Sequence, residues 1–406
     1  MGLSFRLSVI HRKRMKGRRF HQQEMEIPND VVMEEILTRL PAKSLMRFKC
    51  VSKLWSSLIS SRYFSNRFLT VPTRPRPRIY MCLQDNTDYR NSVTLSLAED
   101  TTSASSSCFV VDHNLTHQRV GGHILQNLCG FMCYSFMAKP RIYNPATRQL
   151  VTLPAPIKSQ TEADAYGYYF GYDPVIDQYN VVWSTGDYVK HLGVMRSEHK
   201  VFVLKAGGEG SWKKASPDFL PHIPAKRGVC IDGVIYYMGW TGRYNVALVS
   251  FHIRSGDFKM IQVPRRDGDE VLQRITNVSL IEYGGKVTII DQTNLREKGM
   301  LDLWAVEDAG WSRKTMVLQS SQLHLVINNK TIYNMKGTTH NNKVFFVPED
   351  MFSPFHILSY DLGSNDMTKI EIKGIPDHWF RTDKESVYVM LMDQSESLVR
   401  VLGDLN

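Results

Sequence analysis

MEIPNDVVMEEILTRLPAKSLMRFKCVSKLWSSLISSRYFSNRFL, residues 25–69, reads as helix, and the rest of the chain does not. Pro28 and Asn29 precede a first helix, in which Met33, Ile36, Leu37 and Leu40 follow the i, i+3, i+4, i+7 spacing of one apolar face. Pro41 ends that helix, because proline lacks an N–H and pushes the residue before it out of the helical region. Ser44 is the expected N-cap of a second helix carrying Leu45, Phe48 and Val51. Ser52 is the expected cap of a third, with Trp55, Leu58 and Ile59 on one side. Three short helices in about 45 residues make a marginal core, so such a unit tends to leave apolar side chains for a partner to cover.

On either side the composition changes. Residues 1–23 hold seven Lys/Arg and no acid, which leaves +3 of the net charge of +10 for the other 383 residues. The body is near neutral, so its charge calls for no nucleic-acid partner. Residues 1–24 read as a disordered basic tail, with a nuclear-import patch in HRKRMKGRR as the other reading. Met15 and Met25 offer further start sites. After the helices, residues 70–78 carry Pro72, Pro75 and Pro77 among arginines and form a linker. No apolar run reaches the roughly 20 residues of a spanning helix, so no membrane is expected. Six scattered cysteines among apolar neighbours fit buried thiols in a reducing compartment, nucleus or cytoplasm.

Residues 79–402 alternate short β-rich runs with Gly, Asn and Asp turns. IYNPATRQLVTLP (142–154), SFHIRSGDFKMIQVP (250–264) and LSYDLGSNDMTKIEI (358–372) share one plan of strand, polar turn and strand. CIDGVIYYMGW (230–240), EYGGKVTIIDQ (282–292) and HNNKVFFVP (340–348) place a turn before an apolar strand. VFVLKAGGEGSWKK (201–214) and LWAVEDAGWSRK (303–314) turn at a Gly–Trp step. Strand–turn–strand units spaced by about 40–60 residues are the mark of propeller blades, each of which buries its faces only against its neighbours. The spacing is irregular and leaves the number of blades open. TTSASSS (101–107) reads as a surface loop.

The helical stretch resembles an F-box, through Ile27-Pro28, Asp30, Ile36-Leu37, Leu40-Pro41, Ser44-Leu45, Arg47-Phe48, Cys50-Val51, Lys53, Trp55 and Leu58-Ile59. Val31-Val32-Met33 stands where many relatives have leucines and acids, and it keeps the apolar face. LCGFMCY (128–134), YYFGYDPVIDQYNVV (168–182), HKVFVL (199–204), GSWKK (210–214), RGVCIDGVIYYMGW (227–240), VSFHIRSGDFKMIQVP (249–264) and LWAVED (303–308), with the 142–154 segment, resemble the plant F-box-associated domain, type 3. The resemblance implies an α+β multidomain chain: a small three-helix F-box followed by an all-β, kelch-like β-propeller. It implies a non-catalytic substrate receptor of a Skp–cullin–F-box ubiquitin ligase. The F-box would bind a Skp-type adaptor (the plant ASK family), which brings cullin and RING subunit indirectly. The C-terminal domain would bind an unknown target protein, and catalysis would come from proximity alone.

On that reading Pro28, Ile36, Leu37, Leu40, Pro41 and Leu45 meet the adaptor, with the prolines fixing helix ends and the aliphatics filling grooves. The bland reading is that they close a three-helix core. Target binding is expected on propeller loops, with Ser184–Ser197, Trp240–Tyr244 and Asp291–Lys298 as candidates. Trp240, Arg243 and Tyr244 are residue types enriched at hot spots, although Trp240 reads equally as a blade-core aromatic. No catalytic residue, cofactor or metal is expected. His113, His117, Cys129 and Cys133 have a zinc-like spacing but sit in apolar strand sequence. The glycines at 207, 208 and 210 lack a P-loop lysine. The rival readings are a propeller-housed enzyme with acids such as Asp173, Asp177 and Asp187, and a non-degradative adaptor-binding scaffold.

Overall fold

The computed structural model describes residues 4–6, 26–28, 35–70, 78–88, 90–100, 108–118, 120, 123–156, 165–189, 194–204, 210–215, 221–242, 245–264, 275–308, 310–327, 331–339, 341–380 and 387–394. The chain divides into two compact units that meet in sequence between Pro77 and Arg78.

In the first unit, β1 (Ser4–Arg6) pairs antiparallel with β2 (Glu26–Pro28), so the basic tail expected to be disordered holds one strand. Pro28 is the last residue of that strand, opposite Ser4. Residues 29–34, where the first helix was expected to begin, lie outside the described residues; its end is a 3-10 turn at Leu37–Arg39. The next helix, Ala42–Phe48, starts two residues before Ser44, the expected cap. Pro41 takes the N-cap position instead, and its carbonyl accepts from the N–H of Ser44 (2.9 Å) and Leu45 (3.2 Å). Ser52 caps the helix Lys53–Ser60 as expected, its Oγ accepting from Trp55 N–H at 3.1 Å. A further helix, Arg62–Thr70, follows after Ser61. Ser61 serves both ends: its Oγ–H donates to Leu58 O (2.7 Å), and its Oγ accepts from Phe64 N–H (3.2 Å).

Among the described residues the second unit is built from strands in six groups of four, antiparallel within each group. β3 (Arg78–Asp85), β4 (Ser92–Glu99) and β5 (Cys108–Gln118) begin the first blade. The second holds β6 (His123–Leu128), β7 (Phe131–Phe136), β8 (Lys139–Asn144) and β9 (Gln149–Thr152). The third holds β10 (Ala165–Asp173), β11 (Gln178–Val189), β12 (Val194–Leu204) and β13 (Trp212–Lys214). In the fourth, the first strand is split into β14 (Ile223–Pro224) and β15 (Val229–Ile231), followed by β16 (Val234–Trp240), β17 (Val246–His252) and β18 (Phe258–Gln262). The fifth holds β19 (Val278–Tyr283), β20 (Lys286–Asp291), β21 (Met300–Glu307) and β22 (Gly310–Val317). The sixth holds β23 (Tyr333–Thr338), β24 (Lys343–Pro348), β25 (Phe355–Asp361) and β26 (Asp366–Lys373). The last strand, β27 (Val387–Gln394), returns to pair along the whole of β3 and completes the first blade. This is a six-bladed β-propeller closed by its own C-terminal strand.

Each sequence repeat occupies a fixed place in a blade. IYNPATRQ, SFHIRSGDF and LSYDLGSND are third-to-fourth strand hairpins, and so are the two Gly–Trp segments. CIDGV, EYGGKV and HNNKV are first-to-second strand hairpins. Asn144 and Asp361 hold equivalent turns, each Oδ1 accepting from the backbone N–H groups two and three residues on. The core lies between blades. Met81, Leu83, Leu95 and Leu391 of the first blade pack with Phe345, Ile357 and Ile372 of the sixth. Similar apolar layers join the fifth and sixth, fourth and fifth, third and fourth, and first and second blades.

Candidate functional site

Two surfaces carry functional interest, one on each unit. In the first unit, the helix Arg62–Thr70 packs on the helix Lys53–Ser60 and on the Leu37–Arg39 turn. The expected adaptor residues divide between inside and outside. Leu37 (1% exposed) and Leu45 (0%) are buried, with Ile59, Phe64 and Phe68. Leu40 is half-buried, and Pro41 is exposed at the helix start. Ile36 is 43% exposed, and with it Val51 (64%), Leu54 (44%) and Tyr63 (62%). Leu37 and Leu45 thus serve the core, and the exposed apolar surface combines Ile36 and Val51, which periodicity placed on apolar faces, with Leu54 and Tyr63, which it did not select. Leu54 lies in the first turn of the helix that Ser52 caps, where a side chain has no preceding turn to lie on.

In the propeller, the inner strands of the blades enclose a central cavity of about 680 Å³. Its wall includes Tyr168 and Tyr169 of β10, Lys226 and Arg227 between β14 and β15, Lys336 of β23 and Tyr388 of β27. Trp240, the expected target residue that the structure describes, is not on it. Trp240 ends β16 opposite Ile223 and Val246 and packs against the layer between the fourth and fifth blades, which is the blade-core role. Arg243 and Tyr244 lie outside the described residues. Two of the expected loops are ordered elements. Ser184–Val189 and Val194–Ser197 are paired strands of one hairpin, and Leu295–Lys298 is a helical turn.

Two acids of the enzyme reading, Asp173 and Asp177, are engaged in structure. Asp173 accepts two hydrogen bonds from Arg254, both at 3.2 Å, and two more from the N–H groups of Val175 and Ile176. That clamp joins the third blade to the fourth. Asp177 accepts from Tyr172 OH at 2.7 Å. The zinc-spaced residues do not gather: among the described residues no cluster of three or more His, Cys, Asp or Glu could hold a metal. His117 faces Tyr143 OH at 2.9 Å, and Cys133 is buried in β7. Burial pushes the thiols of Cys82, Cys133 and Cys230 up to about 12, so each stays a protonated, poorly nucleophilic thiol. Among the described residues no helix is long and apolar enough to cross a membrane.

Comparison with known families agrees with this division. The F-box domain model matches residues 26–67, and the F-box associated beta propeller domain model matches residues 78–395. An F-box/LRR-repeat protein of Arabidopsis thaliana is 48% identical over 387 residues, covering 91% of this chain and 86% of the relative. An F-box protein of the same plant is 42% identical over 411 residues, covering 97% and 98% of the two chains. Another is 40% identical over 427 residues, covering 98% of this chain and all of the relative.

Proposed function

This chain belongs to the plant F-box proteins that carry a type 3 F-box-associated β-propeller domain, and from that premise we propose that it is the substrate-recognition subunit of a Skp–cullin–F-box ubiquitin ligase. The helical unit binds a Skp-type adaptor of the plant ASK family, cullin and RING subunit follow through the adaptor, and the propeller holds a target protein. Ubiquitin transfer is then accelerated by proximity, with no reacting group needed from this chain.

The observation that carries the reading is the set of exposed apolar side chains Ile36, Val51, Leu54 and Tyr63 on a unit matched by the F-box model. Each such side chain taken out of water on docking contributes about 1.5–3 kcal/mol. A small helical unit that leaves this surface open is made to be covered.

The test is binding of the purified full chain to a panel of plant Skp-type adaptors, comparing wild type with Leu54→Asp and Val51→Asp. Both positions are exposed, so the substitutions leave the helical unit folded. A carboxylate forced into a desolvated interface costs several kcal/mol, so affinity falls at least about 100-fold. Unchanged affinity in both variants, or no wild-type binding to any adaptor, would count against the reading.

A further inference from the structure

The propeller channel holds three cations that the receptor role does not use: Lys226, Arg227 and Lys336. They come from two blades, and two of them, Arg227 and Lys336, converge on one ring. Arg227 Cζ lies 5.3 Å from the centroid of Tyr388, and Lys336 Nζ lies 5.4 Å from the same centroid. Lys226 Nζ donates to Thr276 O at 3.3 Å, and Arg227 Nη1 contacts Met390 Sδ at 2.7 Å. These partners are a carbonyl, a thioether and an aromatic face, none of them a full negative charge. Among the described residues no carboxylate lies within ion-pair distance of any of the three. Glu349 is the acid whose charge reaches Lys336, from beyond that distance. Of the two carboxylates on the channel wall, Glu282 stands beside the β19–β20 turn and Asp393 near the end of β27.

The backbone is shaped to put the cations there. In the fourth blade the inner strand pairs Pro224 with Gly239 and resumes with Val229 opposite Tyr236, so four residues (225–228) face only two. In the sixth, the register slips between Met335 and Gly337, so Lys336 is an extra residue. A bulge bends its strand and re-aims a side chain, and bulges concentrate beside functional sites. A glycine closes each bulge, after Arg227 and after Lys336. A Cβ on Gly228 would sit 2.7 Å from Tyr236 O, and one on Gly337 would sit 2.1 Å from Leu391 O. Only glycine permits these close approaches, so both irregularities are specified by the sequence.

An unneutralised cluster of cations costs stability. Burial, then the charges of Lys336 and Arg227, pull Lys226 down to about 8; burial brings Arg227 to about 10. Such a cost persists in a fold when a ligand of opposite charge repays it. The cavity volume is that of a small-molecule site, with tyrosine rings on its wall beside the cations.

We propose that the propeller channel is a binding site for a compact multivalent oxyanion, a phosphate ester or a polycarboxylate, held by Lys226, Arg227 and Lys336 against Tyr388. Arg227 presents the planar fork that takes two oxygens of such a group, and the lysines act as point charges around it. The site goes beyond adaptor docking and stands independently of it.

The experiment is isothermal titration of the full chain with tripolyphosphate and, separately, with citrate. Wild type binds one anion per chain, and raising salt weakens it. Arg227→Gln and Lys336→Gln each lower affinity at least about tenfold, the loss of one charge-assisted contact. Lys314→Gln, on the outer strand β22, leaves it unchanged. Preference for tripolyphosphate assigns the site to phosphate esters, preference for citrate to polycarboxylates, and either supports it. In anion-free buffer the melting temperature of Lys336→Gln holds or rises, because like charges have been separated; a purely structural lysine would lower it. Should Arg227→Gln fail to fold, Lys336→Gln decides alone. Absence of wild-type binding, or equal binding by Lys336→Gln, overturns the proposal.

Discussion

The helical unit and the propeller manage apolar surface in opposite ways. Among the described side chains of residues 35–70 four large apolar ones are well exposed, against eleven in the much longer described propeller. The propeller buries its strands between successive blades and seals the ring with β27, so it completes its core from its own sequence. The short helices have too few residues to do so and hold an inner set (Leu37, Leu45, Ile59, Phe64, Phe68) beside an outer one. A unit that finishes its own core has its polar channel free for recognition, and a unit that cannot has an apolar face free for docking.

The strongest way to break this contrast is to open the ring. A chain ending before Val387 loses β27, exposes the edge of β3 and takes Val389 and Leu391 out of the layer between first and sixth blades. The cooperative thermal transition and near-ultraviolet dichroism of the propeller are expected to be lost. A native-like spectrum in the truncated chain would mean that closure is dispensable. On the helical side, Leu45→Ala removes a fully buried side chain and is expected to cost about 2–5 kcal/mol, read by denaturant unfolding. Leu54→Ala, at an exposed position, is expected to leave that transition within about 0.5 kcal/mol. Equal costs at the two positions would erase the division into inner and outer sets.

What was legible follows the same line. The blade hairpins were readable because each is a local alternation punctuated by turn residues, and the Ser52 cap because its acceptor is three residues away. Trp240 as a blade-core aromatic was readable for the same reason. The blade count was not, since β14 and β15 break one strand in two and β27 belongs to a blade begun some 300 residues earlier, a pairing that no local pattern encodes. The resemblance to an F-box chose Leu37 and Leu45 for docking, and periodicity could not test that choice because a core face and a docking face have the same spacing; only packing tells them apart. Lys226 and Lys336 escaped notice because a bulge interrupts the alternation that would have marked their direction.

The two units also differ toward acid. Residues 35–70 contain no histidine, whereas the third and fourth blades bury a stacked pair, His199 and His222, with centroids 4.6 Å apart. His222 Nε2 lies 2.9 Å from Tyr237 OH, and His199 Nε2 lies 3.1 Å from Ser197 Oγ. Burial, then the neighbouring charge of His222, brings His199 down to about 3. The unfolded chain takes up that proton near 6.5, so between those values it binds more protons than the fold. The contribution of neutral His199 is whole above about pH 6.5 and declines as pH falls, by about 2 kcal/mol at pH 5. Propeller stability measured from pH 7.5 to 5 is expected to drop more steeply in wild type than in His199→Gln. Parallel curves would mean that the imidazole is solvated.

The smallest expected effect tests whether blades are equivalent parts. Trp212 begins β13 in the third blade, and its Nε1–H donates to Pro154 O of the second at 2.8 Å. Trp311 in β22 of the fifth donates to Gln262 O of the fourth, also at 2.8 Å. Each indole therefore ties the outer strand of one blade to the end of the blade before it. Phenylalanine keeps most of the ring contact, which for Trp212 is with Tyr168 and Phe202, and removes only the donor. Because both bonds lie near the surface, water can replace the lost donor at the carbonyl, and each substitution is expected to cost about 0.5–1.5 kcal/mol. The ties join different pairs of blades and share no partner, so the double variant should lose the sum within about 0.5 kcal/mol. Denaturant unfolding of the two single variants and the double variant gives the cycle. A sum that fails, or one tie worth several times the other, would show that the blades are not interchangeable.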